Sequence, residues 1–476
     1  MPSFDNDIFF ATITELNQRL IKKEFSCVEL TRAFAERLEQ QGPRYNALAL
    51  SLREQAIKKA KSVDSELKRD RLRGPLQGIP FGAKDLLSVQ DHPTAWGARP
   101  YTGQVFDHDA TVIDRLAKKG AVVIGKLAMV ELAGGGGYRF PAASVTGPCT
   151  NPWNRAHWAG GSSSGSGAAV AAGLVPYALG SETSGSILTP AAFCGVTGLR
   201  PTYGLVSRYG AMALSWTLDK IGPLCRSAED CGLVLAAIAG ADAKDPGSAG
   251  KSFYYAPEYQ RPLNEIRVGF APVDFEGWAA PEAQPDLKRA VETIRSLGVK
   301  MVESRLPDFP YGPVLATVLN GEMGSIFEPL IKSGQVDQLA DAKQIAGLKA
   351  SLDVSASEYL KAMRIRPLIQ QAFDKAFYDD YDVILAPSRM APASLIRDPL
   401  DKGSGREAPK DRGFASLIPA GNLAGLPALS LPCGFAGGLP VGIQLVTRPF
   451  HENLLLALGK AFQERTDFHR KRPPQA

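Results

Sequence analysis

Three segments rich in glycine and small polar residues constrain the fold of this chain more than any other feature. They cover residues 160–167 (GGSSSGSG), 180–187 (GSETSGSI) and 195–202 (GVTGLRPT). Such residues let consecutive backbone groups approach closely and converge on one point. A flexible linker and a phosphate-binding turn are the simple alternatives for the first segment. No Gly-Lys-Ser/Thr follows it, and the alanine-rich residues 168–172 are typical of a packed helix, so we expect tight turns beside a buried core.

The spacing of apolar residues predicts an α/β fold. In residues 1–70 they recur every three or four positions, which indicates a helical N-terminal layer. Beyond that layer short apolar runs alternate with helical stretches, as in the strand–helix–strand pattern of residues 266–302. We therefore predict a single large α/β domain over residues 1–476.

Charge and composition limit the classes of partner. The 54 basic and 49 acidic residues are spread along the chain, the net charge is +5, and no polybasic block of the kind that nucleic acid attracts occurs. No stretch approaches the roughly 18 unbroken apolar residues of a membrane span. The six cysteines form no CxxC pair, and the five histidines show no metal-ligand spacing. We expect no nucleic-acid or membrane partner, no metal and, by default, a cytoplasmic location.

Together with two further regions, the three segments resemble the amidase signature family. Residues 78–85 (GIPFGAKD) are similar to the family's lysine-bearing segment, and residues 422–427 (NLAGLP) with 439–444 (LPVGIQ) are similar to its C-terminal pattern. The resemblance extends over roughly residues 10–470. It implies a single large α/β/α domain with a mixed, mostly parallel central sheet covered by helices. It also implies a serine hydrolase that cleaves carboxylic amides through an acyl-enzyme and needs no cofactor, with its catalytic core in residues 78–230.

The resemblance assigns catalysis to Ser186, Ser162 and Lys84. A serine hydroxyl attacks an amide only when a base removes its proton and hydrogen-bond donors stabilise the resulting oxyanion. By resemblance, Ser186 is the nucleophile, Ser162 is a bridging serine on a cis peptide bond, and Lys84 receives the proton through it. The small residues of 180–185 let backbone amides converge as an oxyanion hole. The amides assigned to this hole are those of Thr183, Ser184, Gly185 and Ser186.

Lys84 can act as a base only when its amine is neutral. At the reference pKa of about 10.4, one lysine in ~2,500 is neutral at pH 7. Lowering the pKa to about 7 or 8 means destabilising the ammonium by about 4 kcal/mol, which burial among apolar neighbours such as Phe81 and Leu86 can supply. Asp85 follows directly, but adjacent side chains of an extended segment point to opposite faces. We therefore expect Asp85 not to neutralise Lys84.

A second nucleophile is possible on sequence grounds. Residues 161–165 fit G-x-S-x-G, the nucleophile elbow of α/β-hydrolases, which makes Ser163 the nucleophile of an alternative esterase. That mechanism needs a histidine late in the chain, and the candidates are His451 and His469. His451 stands at an apparent helix start, where a helix cap is the alternative to catalysis. His469 stands in a polar tail, where a surface position is the alternative.

Other regions are candidates for contact with substrate. By resemblance, a glycine run borders the active site, although a simple loop is the alternative. Its candidate lining residues are Gly134, Gly135, Gly136 and Tyr138. Residues 305–380 are interpreted as a substrate-facing insertion. Residues 395–414 carry many charges, glycines and prolines, so they are a candidate mobile loop.

Departures from the family pattern bear on the substrate. Leu188 stands where many members have arginine, which removes a charge near the nucleophile. Arg366 resembles the arginine with which the family's tRNA amidotransferase subunit holds glutamine, with a solvated helix face as the alternative, but Ala415 replaces the expected aspartate. We expect a stand-alone amidase of apolar or aryl amides, with side activity on esters or carbamates. Its partners would be a small-molecule amide and, at most, a second copy. An amidotransferase-type subunit that needs a partner chain is the alternative.

Overall fold

The structure, a computed structural model, describes residues 4–256, 258, 261–401 and 413–474. The strands in these ranges are β1 (Leu48–Ser51), β2 (Pro80–Lys84), β3 (Val122–Leu127), β4 (Thr150–Asn151), β5 (Asn154–Trp158), β6 (Tyr177–Glu182), β7 (Thr197–Arg200), β8 (Lys220–Cys225), β9 (Arg267–Phe270), β10 (Lys300–Glu303), β11 (Val383–Pro387), β12 (Ala428–Ala436) and β13 (Leu439–Thr447). The α-helices are α1 (Ile13–Ile21), α2 (Cys27–Gln41), α3 (Arg53–Leu67), α4 (Thr111–Lys118), α5 (Ser164–Ala171), α6 (Leu188–Cys194), α7 (Ala228–Ile238), α8 (Gln284–Ser296), α9 (Tyr311–Ile326), α10 (Glu328–Lys332), α11 (Ala342–Ala350), α12 (Ala356–Asp379), α13 (Leu417–Leu423) and α14 (Glu452–Arg465).

Eleven of the described strands form one mixed sheet, in the order β1-β3-β2-β6-β8-β7-β12-β13-β11-β9-β10. The predicted mixed sheet covered by helices is confirmed, but its strands are not mostly parallel. In the described part of the chain, four neighbouring pairs are parallel and six are antiparallel. The parallel pairs lie towards the flanks, where units such as β2–α4–β3 and β9–α8–β10 return the chain in one direction. The centre is antiparallel because the chain reverses directly there, as at Gly437 and Gly438 between β12 and β13.

The first helices cover one flank of the sheet. Helix α2 begins at a capping box in which Ser26 and Glu29 each bind the other's backbone amide, which satisfies donors that a helix start otherwise leaves free. Helices α2 and α3 pack against β3, and α2 also contacts β1. The apolar spacing of the N-terminal sequence thus becomes a helical layer on the β1–β3 edge.

Two short helices carry the glycine-rich segments into the core. All residues of α5 and α6 are buried. A Cβ atom on Gly165 would lie 2.5 Å from the backbone nitrogen of Ala128 and 2.6 Å from the carbonyl oxygen of Ala47, so only glycine fits this approach. The small residues of α5 therefore bring its start against the chain that follows β3.

A second apolar cluster joins the α9 and α12 helices of the 305–380 segment to α13 and β11. Leu188 belongs to this cluster and is 0% exposed. The use of Leu188 as evidence for an apolar substrate pocket is therefore wrong, because α6 is buried on all sides and turns this side chain into the core. Among the described residues, no helix is both long and apolar enough to cross a membrane.

Candidate active site

Lys84 ends β2, and its side chain is 0% exposed. Its Nζ donates hydrogen bonds to Ser162 Oγ at 2.7 Å and to Ser181 Oγ at 2.9 Å. Burial lowers the pKa of Lys84 to about 7, although the negative charges of Asp219 and Glu182 oppose this shift. A large fraction of the amine is therefore unprotonated near neutral pH.

Asp85, the neighbour of Lys84, forms its ion pair elsewhere. Its carboxylate lies 3.1 Å from Lys126 Nζ, and it accepts a hydrogen bond from the backbone amide of Ala95 at 3.1 Å. Alternation along the strand end turns the two adjacent side chains to different neighbours. The amine of Lys84 therefore forms its hydrogen bonds with the hydroxyls of Ser162 and Ser181, not with Asp85.

Ser162 and Ser163 are adjacent but have different surroundings. The peptide bond between Gly161 and Ser162 is cis, and the Ser162 hydroxyl accepts the hydrogen bond from Lys84. The Ser163 hydroxyl instead bridges the main chain of Ser181, donating to its carbonyl oxygen at 3.1 Å and accepting from its amide at 3.2 Å. No histidine among the described residues forms a hydrogen bond with Ser163. In the described part of the chain, Ser163 therefore lacks the histidine base that the alternative esterase mechanism requires.

The turn between β6 and α6 presents backbone amides beside Ser186. Gly185 has a φ of 88°, a conformation that residues with side chains rarely adopt. Thr183 anchors the start of the turn, because its hydroxyl donates to Asp219 Oδ1 at 2.6 Å. Within the described chain, no group accepts a hydrogen bond from the amides of Ser184, Gly185 or Ser186. These successive donors are thus available to an external anion.

A buried carboxylate, Glu182, supports this turn. Its Oε2 accepts hydrogen bonds from the amides of Ile187 at 2.9 Å and Leu188 at 3.0 Å. Its Oε1 accepts from Arg200 Nη1 at 2.8 Å and from Asn422 Nδ2 at 2.9 Å. Burial by itself would raise the pKa of Glu182, but the Arg200 charge and the hydrogen bonds lower it to about 2. Sequence reasoning gave this residue no role, although it is the charged residue of the second glycine-rich segment.

A cavity of about 510 Å³ opens beside the turn. Ser181, Thr183 and Asp219 line it, as does the partly exposed Trp216. Ser186 is not among its lining residues. Ser181 connects this cavity with the buried amine of the lysine at the end of β2, because its hydroxyl accepts a hydrogen bond from that amine. The sequence offered no signal for Ser181, since its position depends on the pairing of β2 with β6.

The predicted lining residues divide into two groups. Gly136 contacts the 305–380 segment, because its amide donates to Met323 Sδ at 2.9 Å, and a Cβ on Gly134 would lie 2.9 Å from the Tyr138 ring. Tyr138 reaches the other way, and its hydroxyl lies 3.1 Å from the position of a Cβ on Gly161. Tyr138 thus borders the residue directly before Ser162.

Arg366, on α12, is held by two backbone carbonyls. Its Nε donates to the carbonyl of Leu423 at 2.7 Å, and its Nη2 donates to that of Thr217 at 2.6 Å. The side chain is 8% exposed, and burial lowers its pKa. The alternative of a solvated helix face is therefore wrong. Arg366 joins the insertion to the chain beside the cavity wall at Trp216.

The candidate mobile loop, residues 395–414, is described only in part, because residues 402–412 lie outside the described residues. The part before them is tied to its surroundings. The amide of Ile396 donates to the carbonyl of Ala156 at 2.9 Å, and the amide of Leu400 donates to that of Arg139 at 2.8 Å. This part is therefore hydrogen-bonded to β5 and to the loop after the glycine run.

Comparisons with known proteins agree on one family. The sequence profile of the Amidase family matches residues 29–456. A subunit of the glutamyl-tRNA(Gln) amidotransferase of Moorella thermoacetica is 37% identical, over 98% of this chain and 99% of its own length. The native peptide amidase from Stenotrophomonas maltophilia is similar in structure, with a TM-score of 0.81 and 30% identity over 98% of both chains. A structure described as a vestigial protein complex that reveals the origins of an s-triazine catabolic enzyme has a TM-score of 0.86 and 28% identity, and covers 96% of this chain and 98% of its own.

These relatives overturn the sequence-based prediction of partners. That prediction limited the partners to a small-molecule amide and, at most, a second copy of the chain, with no nucleic acid, and this limit is wrong. The M. thermoacetica relative matches this chain almost end to end. Its name describes one subunit of an amidotransferase and includes the transfer RNA glutamyl-tRNA(Gln). A small net charge does not exclude such partners, because in an enzyme of several subunits another subunit can carry the basic surface. The profile match and the shared fold show that this chain belongs to the amidase signature family and is an amide-hydrolysing enzyme.

Proposed function

We propose that this chain is the amide-cleaving subunit of an amidotransferase-type enzyme, with Ser186 as nucleophile, Ser162 as proton relay and Lys84 as base. The observation that carries the proposal is the 2.7 Å hydrogen bond between Lys84 Nζ and Ser162 Oγ in a fully buried setting. A lysine with a pKa of about 7 can exchange a proton with a serine hydroxyl near neutral pH.

The first half-reaction forms an acyl-enzyme. The hydroxyl of Ser186 attacks the amide carbonyl, and its proton passes through Ser162 to the neutral amine of Lys84. The carbonyl oxygen becomes the oxyanion of the tetrahedral intermediate, and the amides of residues 183–186 bind it. Lys84 then returns the proton through Ser162 to the leaving nitrogen, the C–N bond breaks, and an ester on Ser186 remains.

The second half-reaction returns the free enzyme. A water molecule attacks the ester carbonyl and loses a proton through Ser162 to Lys84. The oxyanion forms again at the same amides. When it collapses, the bond to Ser186 breaks, and the serine regains its proton by the same route. The products are a carboxylic acid and ammonia or an amine.

The relatives support a role within a larger assembly. A chain that matches this one almost end to end is named as one subunit of an amidotransferase, and a structure with a TM-score of 0.86 is described as a protein complex. We assign to this chain the release of ammonia from an amide donor, and to a partner chain the use of that ammonia on an acceptor.

The experiment measures ammonia released from glutamine and from simple primary amides. The chain is produced alone and together with the other amidotransferase subunits of its source organism, with and without glutamyl-tRNA(Gln). We expect release that increases with the partner subunits and is lost in Ser186→Ala, with Ser163→Ala as the matched control. Release that survives Ser186→Ala contradicts the nucleophile. Full release by the isolated chain, with no response to the other subunits, contradicts the role within a larger assembly.

A further inference from the structure

Lys220 is a buried lysine that the proposed mechanism does not use. It begins β8, is 2% exposed and lies directly opposite Glu182 in the register of β8 against β6. Opposite residues of antiparallel strands carry their side chains on the same face of the sheet, with Cβ atoms about 5 Å apart, so a lysine and a glutamate can form an ion pair there. Glu182 instead forms its ion pair with Arg200, and no described carboxylate forms one with Lys220.

The side-chain amide of Asn422 connects the two opposite residues. Its Oδ1 accepts a hydrogen bond from Lys220 Nζ at 2.6 Å, and its Nδ2 donates to Glu182 Oε1 at 2.9 Å. Nδ2 also donates to the carbonyl oxygen of Ile418 at 2.8 Å. An amide oxygen can only accept. Lys220 is thus the one donor to this oxygen among the described residues.

Glu182 connects Asn422 to the backbone that follows the proposed nucleophile. Its Oε1 accepts two side-chain hydrogen bonds, and its Oε2 accepts those of the backbone amides of Ile187 and Leu188. A carboxylate has about four acceptor positions, so these four donors occupy all of them. A displacement of Asn422 would therefore disturb the carboxylate that holds the two amides directly after Ser186.

The hydrogen bond from Lys220 lies in a buried setting. Asn422 and Glu182 are both 0% exposed. Burial lowers the pKa of Lys220 and the charge of Arg200 adds to this shift, whereas the charges of Glu182 and Asp219 oppose it. Because a neutral amine donates hydrogen bonds as an ammonium does, the contact with Asn422 does not depend on the added proton. Loss of the only donor to a buried acceptor is costly.

We propose that Lys220 is a positioning residue for the turn that carries Ser186, and that it acts through Asn422 and Glu182. Each link is a hydrogen bond of fixed direction, because the amide and carboxylate oxygens can only accept. The inference rests on the proposed function, because the position of this turn affects turnover only if Ser186 is the nucleophile.

The first test compares two substitutions of similar size that differ in one donor. Methionine at position 220 fills the space without a donor, whereas glutamine can still donate to Asn422. Hydrolysis of 4-nitrophenyl butyrate gives kcat and KM after subtraction of the Ser186→Ala rate. We expect Lys220→Met to lower kcat about tenfold with KM unchanged, as for one lost buried hydrogen bond, and Lys220→Gln to recover part of this loss.

A changed KM with an unchanged kcat would overturn the inference, because Lys220 would then act on substrate in the cavity that it lines. Equal kcat losses in Lys220→Met and Lys220→Gln would overturn it as well. The matched control is Lys244→Met, which removes an exposed lysine from the wall of the same cavity. It should leave kcat unchanged, and a loss as large as that of Lys220→Met would contradict a role specific to Lys220.

The second test examines whether the effect passes through Asn422. We expect Lys220→Met to lower kcat no further when it is added to Asn422→Leu, because the link to Glu182 is then already broken. Additive losses would overturn the inference.

The third test does not depend on turnover. Hydrogen exchange followed by mass spectrometry reports the amides of Ile187 and Leu188, which Glu182 accepts. Both Lys220→Met and Asn422→Leu should speed their exchange, and circular dichroism checks that each variant is folded. Exchange at the wild-type rate in Lys220→Met would overturn the inference. Faster exchange in a protein whose ester hydrolysis survives Ser186→Ala would support Lys220 as the residue that holds this turn, and count against the proposed function alone.

Discussion

Replacing Lys84 with methionine separates the chemical role of the lysine from its cost to stability. Methionine has a similar length and fills the space without a charge. We expect Lys84→Met to abolish turnover, because no group then accepts the proton from Ser162. We also expect it to raise the free energy of unfolding at pH 7, which is unusual for a substitution in an active site.

The expected magnitude follows from the pKa of Lys84. This pKa is about 7 in the folded chain, against an ordinary value of 10.5. Because the unfolded chain binds the proton more tightly, stability rises with pH between 7 and 10.5, and the burial penalty is fully present below pH 7. The penalty is about 5 kcal/mol in full, about 4 at pH 7 and about 1 at pH 10. The lost hydrogen bonds to Ser162 and Ser181 cost about 1 kcal/mol each, so the net gain at pH 7 is about 2 kcal/mol.

The assay is urea-induced unfolding of the wild type and Lys84→Met at several values between pH 7 and 10. The stability difference between the two proteins should change by about 3 kcal/mol over this window, since their other groups titrate alike. A difference that stays constant would refute the reasoning, because Lys84 would then keep its proton throughout. Turnover by the wild type should also fall as the pH drops below about 7, the pKa of Lys84.

Three other substitutions test the surrounding network. Ser163→Ala should lower the free energy of unfolding by about 1–2 kcal/mol, because its hydroxyl bridges the main chain of β6, and should retain turnover; complete loss of turnover would contradict its structural role. Glu182→Gln should cost about 3–5 kcal/mol at pH 7, because Arg200 is left unpaired. The folded pKa of Glu182 is depressed to about 2, so this loss should shrink as the pH falls from about 4.5 towards 2; a pH-independent loss in denaturant titrations would contradict it. Asp85→Asn should lower stability by about 3 kcal/mol, because Lys126 then lacks its buried carboxylate, and an unchanged melting temperature would show that the pair contributes nothing.

The regions that form the candidate site could be predicted because steric requirements appear directly in the sequence. Gly165 and Gly185 are needed where backbones approach or turn with positive φ, and such needs leave runs of small residues that are easily recognised. Burial of Lys84 was likewise expected from its apolar neighbours. These features depend on residues near one another in the chain, which is where sequence patterns carry information.

The parts that could not be predicted depend on contacts between distant segments. Ser181 reaches Lys84 through the register of β6 against β2, which no local pattern encodes. Arg389 is a lone arginine after a strand, and its position over the ring of Phe193 depends on packing between distant segments. Leu188 was misjudged because a helix that is buried on all sides has no apolar periodicity to show which way a side chain points.

The partners of three buried lysines, on β2, β3 and β8, indicate which of them is suited to act as a base. Burial lowers the pKa of Lys84, Lys126 and Lys220 alike, so desolvation does not distinguish them. Lys126 donates to the hydroxyl of Thr94 at 2.7 Å, but it also lies 3.1 Å from the Asp85 carboxylate, whose charge stabilises an ammonium. Lys220 donates to the amide oxygen of Asn422 at 2.6 Å, and that oxygen can only accept. Both hydrogen-bond partners of Lys84 are hydroxyls, which accept from an ammonium and donate to a neutral amine. Proton transfer needs a partner that can reverse the direction of its hydrogen bond. Hydroxyl partners without an ion-paired carboxylate, rather than the lowered pKa alone, therefore support Lys84 as the proposed base.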